Sequence, residues 1–115
     1  MITYVIAKNY TDTPGPRYES EGQFSGENFR NTVLLDLLKK AKEQSTSILI
    51  DFDGGYGYPT SFLEEAFGGL VRVTKDRNIL SVFSFKSDEE PSLIKEVESY
   101  IKAAIEALKW KKLLK

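Results

Sequence analysis

Short apolar runs alternate with longer amphipathic stretches along the chain, which is the pattern of an α/β protein. The predicted strands cover residues 2–7, 17–20, 47–52 and 78–85. The run at 47–52 is largely apolar, so we expect this central strand to be covered on both faces. The segment 9–22 is polar and contains Pro14, Gly15 and Pro16, which predicts a loop.

Three amphipathic stretches predict helices that begin at Ser25, at Ser61 and near Asp88. The apolar positions of the first helix recur every third or fourth residue, at Phe29, Val33, Leu34, Leu37, Leu38 and Ala41. Two pairs at the starts of the later helices have the spacing of a capping box, Ser61 with Glu64 and Ser87 with Glu90.

The second and third helices each have an unusual feature. Gly68 and Gly69 lie inside the second helix, where a glycine costs up to about 1 kcal/mol relative to alanine. We therefore expect a packing reason for them, most simply close contact between helix and sheet. The third helix would run over residues 88–114 and measure about 40 Å, so its last turns should bend, fray or protrude.

The order strand, loop, helix, strand, helix, strand, helix predicts a single α/β domain over residues 1–115. We expect a small mixed, mostly parallel four-stranded sheet flanked by three main helices. A chain of 115 residues with 41% hydrophobic content is large enough to bury a core without disulfides or metals.

Composition excludes several classes of function. The net charge of −1 gives no general attraction to nucleic acid or to an anionic membrane surface. The chain contains no cysteine and no histidine, so Ser-His-Asp catalysis and ordinary zinc sites cannot be built within it. The start, MITYVIAKNY, lacks the pattern of a signal peptide, and no stretch approaches the roughly 20 apolar residues of a membrane span. We expect a cytoplasmic protein without a cofactor.

The segment ILIDFDGGYGYPTSFLEEAFGGLVR, residues 48–72, carries the candidate site. It predicts a buried strand that delivers a loop and a helix start to one edge of the sheet, where α/β proteins tend to bind ligands. Ser61 can cap this helix, or it can be a phosphorylation target at the positive end of the helix dipole. The two roles are compatible, and Thr60 is the neighbouring alternative for both.

Asp51 and Asp53 point to the same side of the predicted strand end. Two carboxylates in this position can bind Mg²⁺, or they can accept hydrogen bonds from loop amides and fix the turn. The glycines that follow match neither a P-loop nor a dinucleotide fingerprint, so we expect them to allow positive φ angles.

Aromatic residues in this loop are candidate anchors for a protein partner. The candidate partner-binding residues are Asp53, Gly55, Tyr56, Tyr58, Phe62 and Glu65. Arg17 and Arg30 can bind a phosphate or a carboxylate bidentately, or they can be solvated surface charges.

Two long motifs, RYxSEGxFSGExFR from Arg17 and IDFDGxxGYxxSFLEEAFGGLVR up to Arg72, resemble the bacterial STAS-like domain of unknown function. This resemblance covers much of the chain. It implies a fold similar to that of STAS domains and brings no established activity.

The chain also resembles, more distantly, the anti-anti-sigma factors, which are the STAS proteins of partner switching. Ser61 falls where those proteins carry the serine that an ATP-binding kinase partner phosphorylates. Thr60 replaces the aspartate that usually precedes this serine, and Phe62 follows where a small residue is usual. The early hairpin of that family is also shortened here.

Three functional hypotheses follow. The first is a non-enzymatic regulatory module that docks a protein partner, for example one of the histidine-kinase-like ATPase class, and is released by phosphorylation of Ser61 or Thr60. The second is a magnesium-dependent enzyme that uses Asp51 and Asp53 on a phosphate ester. The third is a homo-oligomerisation module, for example a homodimer, in which self-association is driven by the terminal apolar residues Trp110, Leu113 and Leu114.

Overall fold

The computed structural model describes residues 1–113. Within them the chain forms a sheet of three strands, β1 (Ile2–Val5), β2 (Ile48–Asp51) and β3 (Phe83–Lys86), in the order β1-β2-β3. Each strand is parallel to its neighbour. The α/β class is as predicted, but the expected four-stranded mixed sheet is wrong, because residues 17–20 do not form a strand.

Helices occupy the segments between the strands. The helical elements of the described chain are α1 (Ile6–Asn9), α2 (Gly26–Phe29, Arg30–Leu34 and Leu35–Glu43), α3 (Thr60–Leu63, Glu64–Gly68 and Gly69–Thr74), α4 (Ile79–Val82) and α5 (Ser92–Leu113), with a 3-10 turn at Glu19–Glu21. The middle segments of α2 and α3 are π-helical. The three main helices predicted from periodicity are thus α2, α3 and α5.

The loop that was expected to hold a second strand is instead tied to the start of α2. The amide of Gly26 donates to the Pro16 carbonyl at 2.9 Å, and the amide of Glu27 donates to the Arg17 carbonyl at 3.0 Å. These carbonyls satisfy amides of the first helical turn, which have no partner within the helix. The loop therefore serves as a cap for α2 rather than as a strand.

The predicted ends of the outer strands are wrong because local hydrogen bonds favour helical turns. Asn9 accepts a bond from the Val5 amide through its side chain at 3.1 Å, at the turn that follows β1. Ser81 donates its amide and its hydroxyl to the Asn78 carbonyl, at 3.0 and 2.6 Å, so the chain is helical before β3 begins at Phe83.

The two predicted capping boxes are also absent. The hydroxyl of Ser87 donates to the Glu90 carbonyl at 2.7 Å, and α5 begins later than expected, at Ser92. Pro91 explains the delay, because a residue that precedes proline is disfavoured in the helical conformation. The predicted cap of α2 is confirmed: Ser25 accepts a hydrogen bond from the Asn28 amide at 2.9 Å.

The sheet is covered on one face. Ile48, Ile50 and Phe83 point to the helical side and are buried, whereas Thr3 and Ser84 on the opposite face are exposed. The strand order explains this, because successive parallel strands joined by right-handed crossovers place their connecting helices on the same side. The expectation of a central strand covered on both faces is therefore wrong.

Aromatic rings dominate the core between the sheet and the helices. Phe29 of α2 lies 5.6 Å from Phe62 and 6.3 Å from Phe67 of α3, measured between ring centroids. The two helices approach closely at Gly26, where a Cβ atom would collide with the Phe62 carbonyl oxygen. Among the described residues, no helix is both long enough and apolar enough to cross a membrane.

Candidate functional site

The carboxyl ends of the strands meet at one edge of the sheet because the strands are parallel. The loop between β2 and α3, residues 53–59, lies at this edge and is called the glycine loop below. It contacts the segment that follows β1, where the amide of Tyr56 donates to the Asp12 carbonyl at 2.9 Å. Gly54 and Gly57 have φ angles of 93° and 128°, as expected for glycines that form tight turns, whereas the same expectation is wrong for Gly55.

Asp53 fastens the glycine loop to the segment that follows β3. Its carboxylate accepts bonds from Lys86 Nζ at 2.8 Å and from the amides of Asp88 and Glu89 at 3.1 and 2.9 Å. The hydrogen bond from Lys86, with those from the two amides, lowers the pKa of Asp53 to about 2. Asp53 is therefore ionised at neutral pH and acts as a clamp on the loop.

Asp51 and Asp53 share Lys86 as their cation. Lys86 Nζ lies 3.8 Å from Asp51 Oδ2 and 2.8 Å from Asp53 Oδ2, and the pKa of Lys86 is raised, chiefly by its hydrogen bond to Asp53. The side chain of Asp51 also accepts the Asp53 amide at 2.9 Å, which is the loop-fixing role considered for these aspartates. Nowhere in residues 1–113 do three or more acidic side chains converge in a geometry suited to a metal ion.

The two tyrosines of the loop have different environments. Tyr56 is 86% exposed. Tyr58 is half-buried, donates to the Phe52 carbonyl at 3.1 Å and packs edge-to-face on the Phe52 ring at 5.2 Å. Burial, with the nearby Asp51 and Asp53 charges, raises the pKa of Tyr58, so it stays a protonated donor. Tyr58 thus supports the loop, and Tyr56 projects from it.

A small cleft of about 190 Å³ lies between the glycine loop and the start of α5. Its lining includes Asp53, Gly55, Tyr56, Tyr58, Ser87 and Leu93. Sites for drug-sized ligands and cofactors usually measure roughly 300–1,000 Å³, so this cleft is too small for most of them. It is better suited to a single side chain than to a whole ligand.

Helix α3 begins at Thr60 rather than at Ser61. Pro59 occupies the cap position, with φ −59° and ψ 140°, and no side-chain cap bond is made there. Ser61 therefore lies in the first helical turn. Its predicted capping-box partner, Glu64, is held by Arg17 at 2.6 Å and by Arg72 at 2.7 Å. Thr60 is exposed and Ser61 is half-buried, so hydroxyls do lie at the surface of this helix start.

Phe62 and Glu65 lie in the interior rather than on the partner-facing surface. Phe62 has no exposed area and packs on Phe29 and Tyr58. Glu65 is 9% exposed and pairs with Arg30 at 2.5 Å. In this conformation Phe62 cannot contact a partner, and the carboxylate of Glu65 is engaged within the domain.

Arginines and glutamates form a cluster that the sequence indicated only in part. Arg17 joins the loop before α2 to α3, because its Nη1 lies 2.6 Å from Glu64 and 3.2 Å from Glu65. Arg30 of α2 pairs with Glu65 as well. Arg17 and Arg30 therefore bind carboxylates, one of the alternatives considered, but each does so through Nη1 alone rather than bidentately. The pKa of Glu64 is lowered mainly by its hydrogen bond to Arg72, then by that to Arg17, with burial opposing both.

Gly68 and Gly69 make room for this cluster rather than for contact with the sheet. A Cβ atom on Gly69 would lie 2.6 Å from Arg30 Nη1 and 3.2 Å from Arg30 Cδ. A Cβ atom on Gly68 would meet the Glu64 carboxylate and the Arg72 guanidinium. The paired glycines were thus a signal of the buried ion pair, although the sequence alone did not identify what they accommodate.

A family model described as a STAS-like domain of unknown function (DUF4325) matches residues 25–93, which is more than half of the chain. The matched range includes α2, the glycine loop, α3 and β3. No curated protein and no solved structure matches the chain significantly.

Proposed function

Because the chain belongs to the family of STAS-like domains of unknown function, we propose that it is a non-enzymatic regulatory module that docks a protein partner. The docking surface is the glycine loop together with the start of α3. One observation carries this proposal: Tyr56 is 86% exposed on a loop that Asp12 and Asp53 hold in place.

A fixed, exposed tyrosine is a favourable anchor for two reasons. Tyrosine is enriched among the residues that dominate binding energy at protein interfaces. A loop that is already ordered loses little conformational entropy on binding, so more of the contact energy appears as affinity. In this arrangement Tyr56 contacts the partner, while Asp53, Tyr58 and Phe62 hold the loop from behind.

The same surface offers a place for regulation. We propose that phosphorylation of Ser61 or Thr60, by a partner of the histidine-kinase-like ATPase class, weakens docking. A residue on a helix lies beside the residues three and four positions later, so a phosphate on Ser61 would lie beside Glu64 and Glu65. It would repel these carboxylates and compete with them for Arg17, which pairs with both. The phosphate would thus change the charge and the contacts of the helix start that forms part of the docking surface.

The proposal is tested with the partner that co-purifies with the full chain under native conditions. Calorimetry compares wild type with Tyr56→Ala, Ser61→Ala and Ser61→Asp. We expect Tyr56→Ala to weaken binding by about tenfold or more. Ser61→Asp should weaken binding, and Ser61→Ala should retain it.

The control variant is Trp110→Ala, because Trp110 is an aromatic residue that is 59% exposed near the far end of α5. It should bind as wild type does. Equal affinity of Tyr56→Ala and wild type would reject the docking surface. Equal affinity of wild type, Ser61→Ala and Ser61→Asp would reject the switch and leave the docking surface intact.

A magnesium-dependent enzyme that uses Asp51 and Asp53 is the alternative proposal. The geometry favours docking, because the ammonium group of Lys86 already occupies the position of the cation for both carboxylates. Calorimetric titration with Mg²⁺ separates the two. Saturable heat that disappears in Asp51→Asn would support the enzyme, and no heat at millimolar metal would reject it.

A further inference from the structure

An open groove of about 550 Å³ lies beside the first turn of α2. It is lined by Tyr10, Glu19, Gly22, Gln23, Phe24 and Asn28. The groove is larger than the cleft of about 190 Å³ between the glycine loop and the start of α5. Its volume falls within the range of roughly 300–1,000 Å³ that is typical of binding sites.

Two aromatic rings form one wall of the groove. Tyr10 and Phe24 pack edge-to-face, with ring centroids 5.5 Å apart, and Phe24 is 41% exposed. Phe24 has a φ angle of 53°, in the left-handed region, which is a rare conformation for a bulky residue. Its carbonyl accepts the Gly15 amide at 2.9 Å, which helps to hold this conformation. The backbone thus keeps an apolar ring at the surface.

A chain of hydrogen bonds positions a carboxylate beside these rings. Tyr10 donates its hydroxyl to Asn28 Oδ1 at 2.5 Å, and Asn28 Nδ2 donates to Glu19 Oε1 at 3.2 Å. Burial, followed by the neighbouring Tyr4 and Glu19, raises the pKa of Tyr10 to about 12. Tyr10 therefore remains a donor at neutral pH and fixes the orientation of the asparagine amide.

The groove is complementary to a cation. Of the six lining residues, Glu19 carries the formal charge, and it is negative. Glu27 adds a second carboxylate next to it, since Glu27 Oε1 accepts the Glu19 amide at 2.9 Å. Exposed aromatic faces attract cations as well, with lysine or arginine placed over the ring.

We propose that this groove binds an arginine side chain of the protein partner, an inference that rests on the proposed docking function. A guanidinium group is planar, so it can stack on the Phe24 or Tyr10 ring while donating two hydrogen bonds to the Glu19 carboxylate. The groove is joined to the glycine loop through one short segment, because Tyr10 lies two residues before Asp12, whose carbonyl accepts the Tyr56 amide.

The test is an NMR titration of the full chain, labelled with nitrogen-15, with the peptide acetyl-Gly-Arg-Gly-amide. We expect saturable shifts at the amides of residues 19–28, with a dissociation constant in the millimolar range. The matched citrulline peptide, which keeps the shape and lacks the charge, should give no saturable shift. Equal binding of both peptides, no saturation with either, or saturable shifts confined to other residues would overturn the proposal.

Variants define the groove more sharply. Phe24→Ala should weaken binding of the arginine peptide by roughly two- to fivefold, which is the effect of losing an exposed cation–π contact. Glu19→Gln should weaken binding of the same peptide by up to about fivefold, which is the effect of losing an exposed ion pair. Glu21→Gln is the control, because Glu21 is an exposed carboxylate outside the lining, and it should bind as wild type does. An equal loss in Glu21→Gln would assign the effect to general charge and overturn the proposal.

Two further outcomes separate this inference from the docking proposal. Shifts at residues 19–28 that depend on protein concentration, without peptide, would assign the groove to a second copy of the chain and overturn the inference. If Tyr56→Ala abolishes partner binding while Glu19→Gln and Phe24→Ala bind the partner with full affinity, the groove inference fails and the docking surface stands. If the groove variants lose the partner and Tyr56→Ala does not, the inference stands and the proposed anchor fails.

Discussion

The carboxylate of Asp53 accepts three hydrogen bonds, from Lys86 and from the amides of Asp88 and Glu89. Asp53→Asn removes the charge while keeping the shape, so we expect the free energy of unfolding at pH 7 to fall by about 1–2 kcal/mol. Denaturant titrations at a series of pH values measure this difference. Glycine-loop amides should also exchange faster in the variant.

The pH dependence of the Asp53 effect has a defined sign. The pKa of Asp53 is about 2 in the folded protein, below the value of about 3.9 that is usual for an unfolded chain. Its stabilisation is therefore present above about pH 4 and is lost as the pH falls towards 2. The gap between wild type and Asp53→Asn should close over that window. Asp88→Asn is the control, because Asp88 pairs with the same lysine but its side chain is 79% exposed. This substitution should lower the free energy of unfolding by less than about 0.5 kcal/mol.

Residue roles were predictable where they depend on local sequence alone. Ser25 caps α2 as predicted, and Gly54 and Gly57 adopt positive φ angles. Ser61 does not cap α3, because Pro59 occupies the cap position and the helix begins at Thr60, and the Glu64 carboxylate is taken by Arg17 and Arg72. Capping-box spacing gives no information about such competing partners.

At the scale of elements, the π-helical segments of α2 and α3 lie next to each other, joined by the ion pair of Arg30 and Glu65. Gly69 is the residue that makes space for this pair. In Gly69→Ala the new Cβ would lie 2.6 Å from Arg30 Nη1, and Arg30 is buried and has little room to move. We expect a loss of about 2–3 kcal/mol in the free energy of unfolding, measured by urea titration.

Gly68→Ala is the matched control for this prediction. The same methyl group is added one residue earlier, where it meets the ends of the Glu64 and Arg72 side chains. The nearest atom is Glu64 Oε2, at the end of a flexible side chain that is 25% exposed, and the Arg72 side chain beside it is 42% exposed, so both can shift. Alanine is also favoured over glycine in a helix by about 1 kcal/mol. Gly68→Ala should therefore be neutral or stabilising. If both substitutions destabilise equally, the Glu64 and Arg72 side chains yield no more easily than Arg30, and the selective role of Gly69 is wrong.

Periodicity predicted the elements better than their ends. The apolar stripe of α2 is the side that packs on the core, with Phe29, Leu34 and Leu37 buried. The start of α5 was missed because Pro91 acts on the residue before it, and the start of β3 was missed because Asn78 nucleates a helical turn. The π-helical segments of α2 and α3 were not predicted from periodicity.

At the scale of the whole molecule, the sheet has a helical side and an open side. The sequence did not predict this, because β2 is apolar at successive positions and such a run normally indicates cover on both faces. Leu49 lies in the row of the open face with Thr3 and Ser84, and it is half-buried where they are exposed. Which faces of the sheet are covered by helices depends on the number of strands and on the side of each crossover. The hydropathy of a single strand gives no information about either.

The end of α5 provides a test of how far the folded domain extends. Val97, Ile101 and Ala104 are buried, whereas residues 109–111 are exposed, so the helix has left the core by residue 109. The predicted self-association residues Leu113 and Leu114 lie outside the side chains that the structure describes. We expect a chain truncated after Leu108 to keep its free energy of unfolding within about 0.5 kcal/mol, as for surface changes, in a urea titration.

Two comparisons make the truncation decisive. Ile101→Ala empties a fully buried position and should cost about 2–5 kcal/mol, which shows that the titration detects a change in the core. Light scattering then gives the mass of both lengths in solution. A fall in the number of copies per particle on truncation, with the free energy of unfolding unchanged, would assign self-association to the exposed end that carries Trp110. A marked loss of stability in the truncated chain would instead make the last turns part of the folding unit, which their exposure argues against.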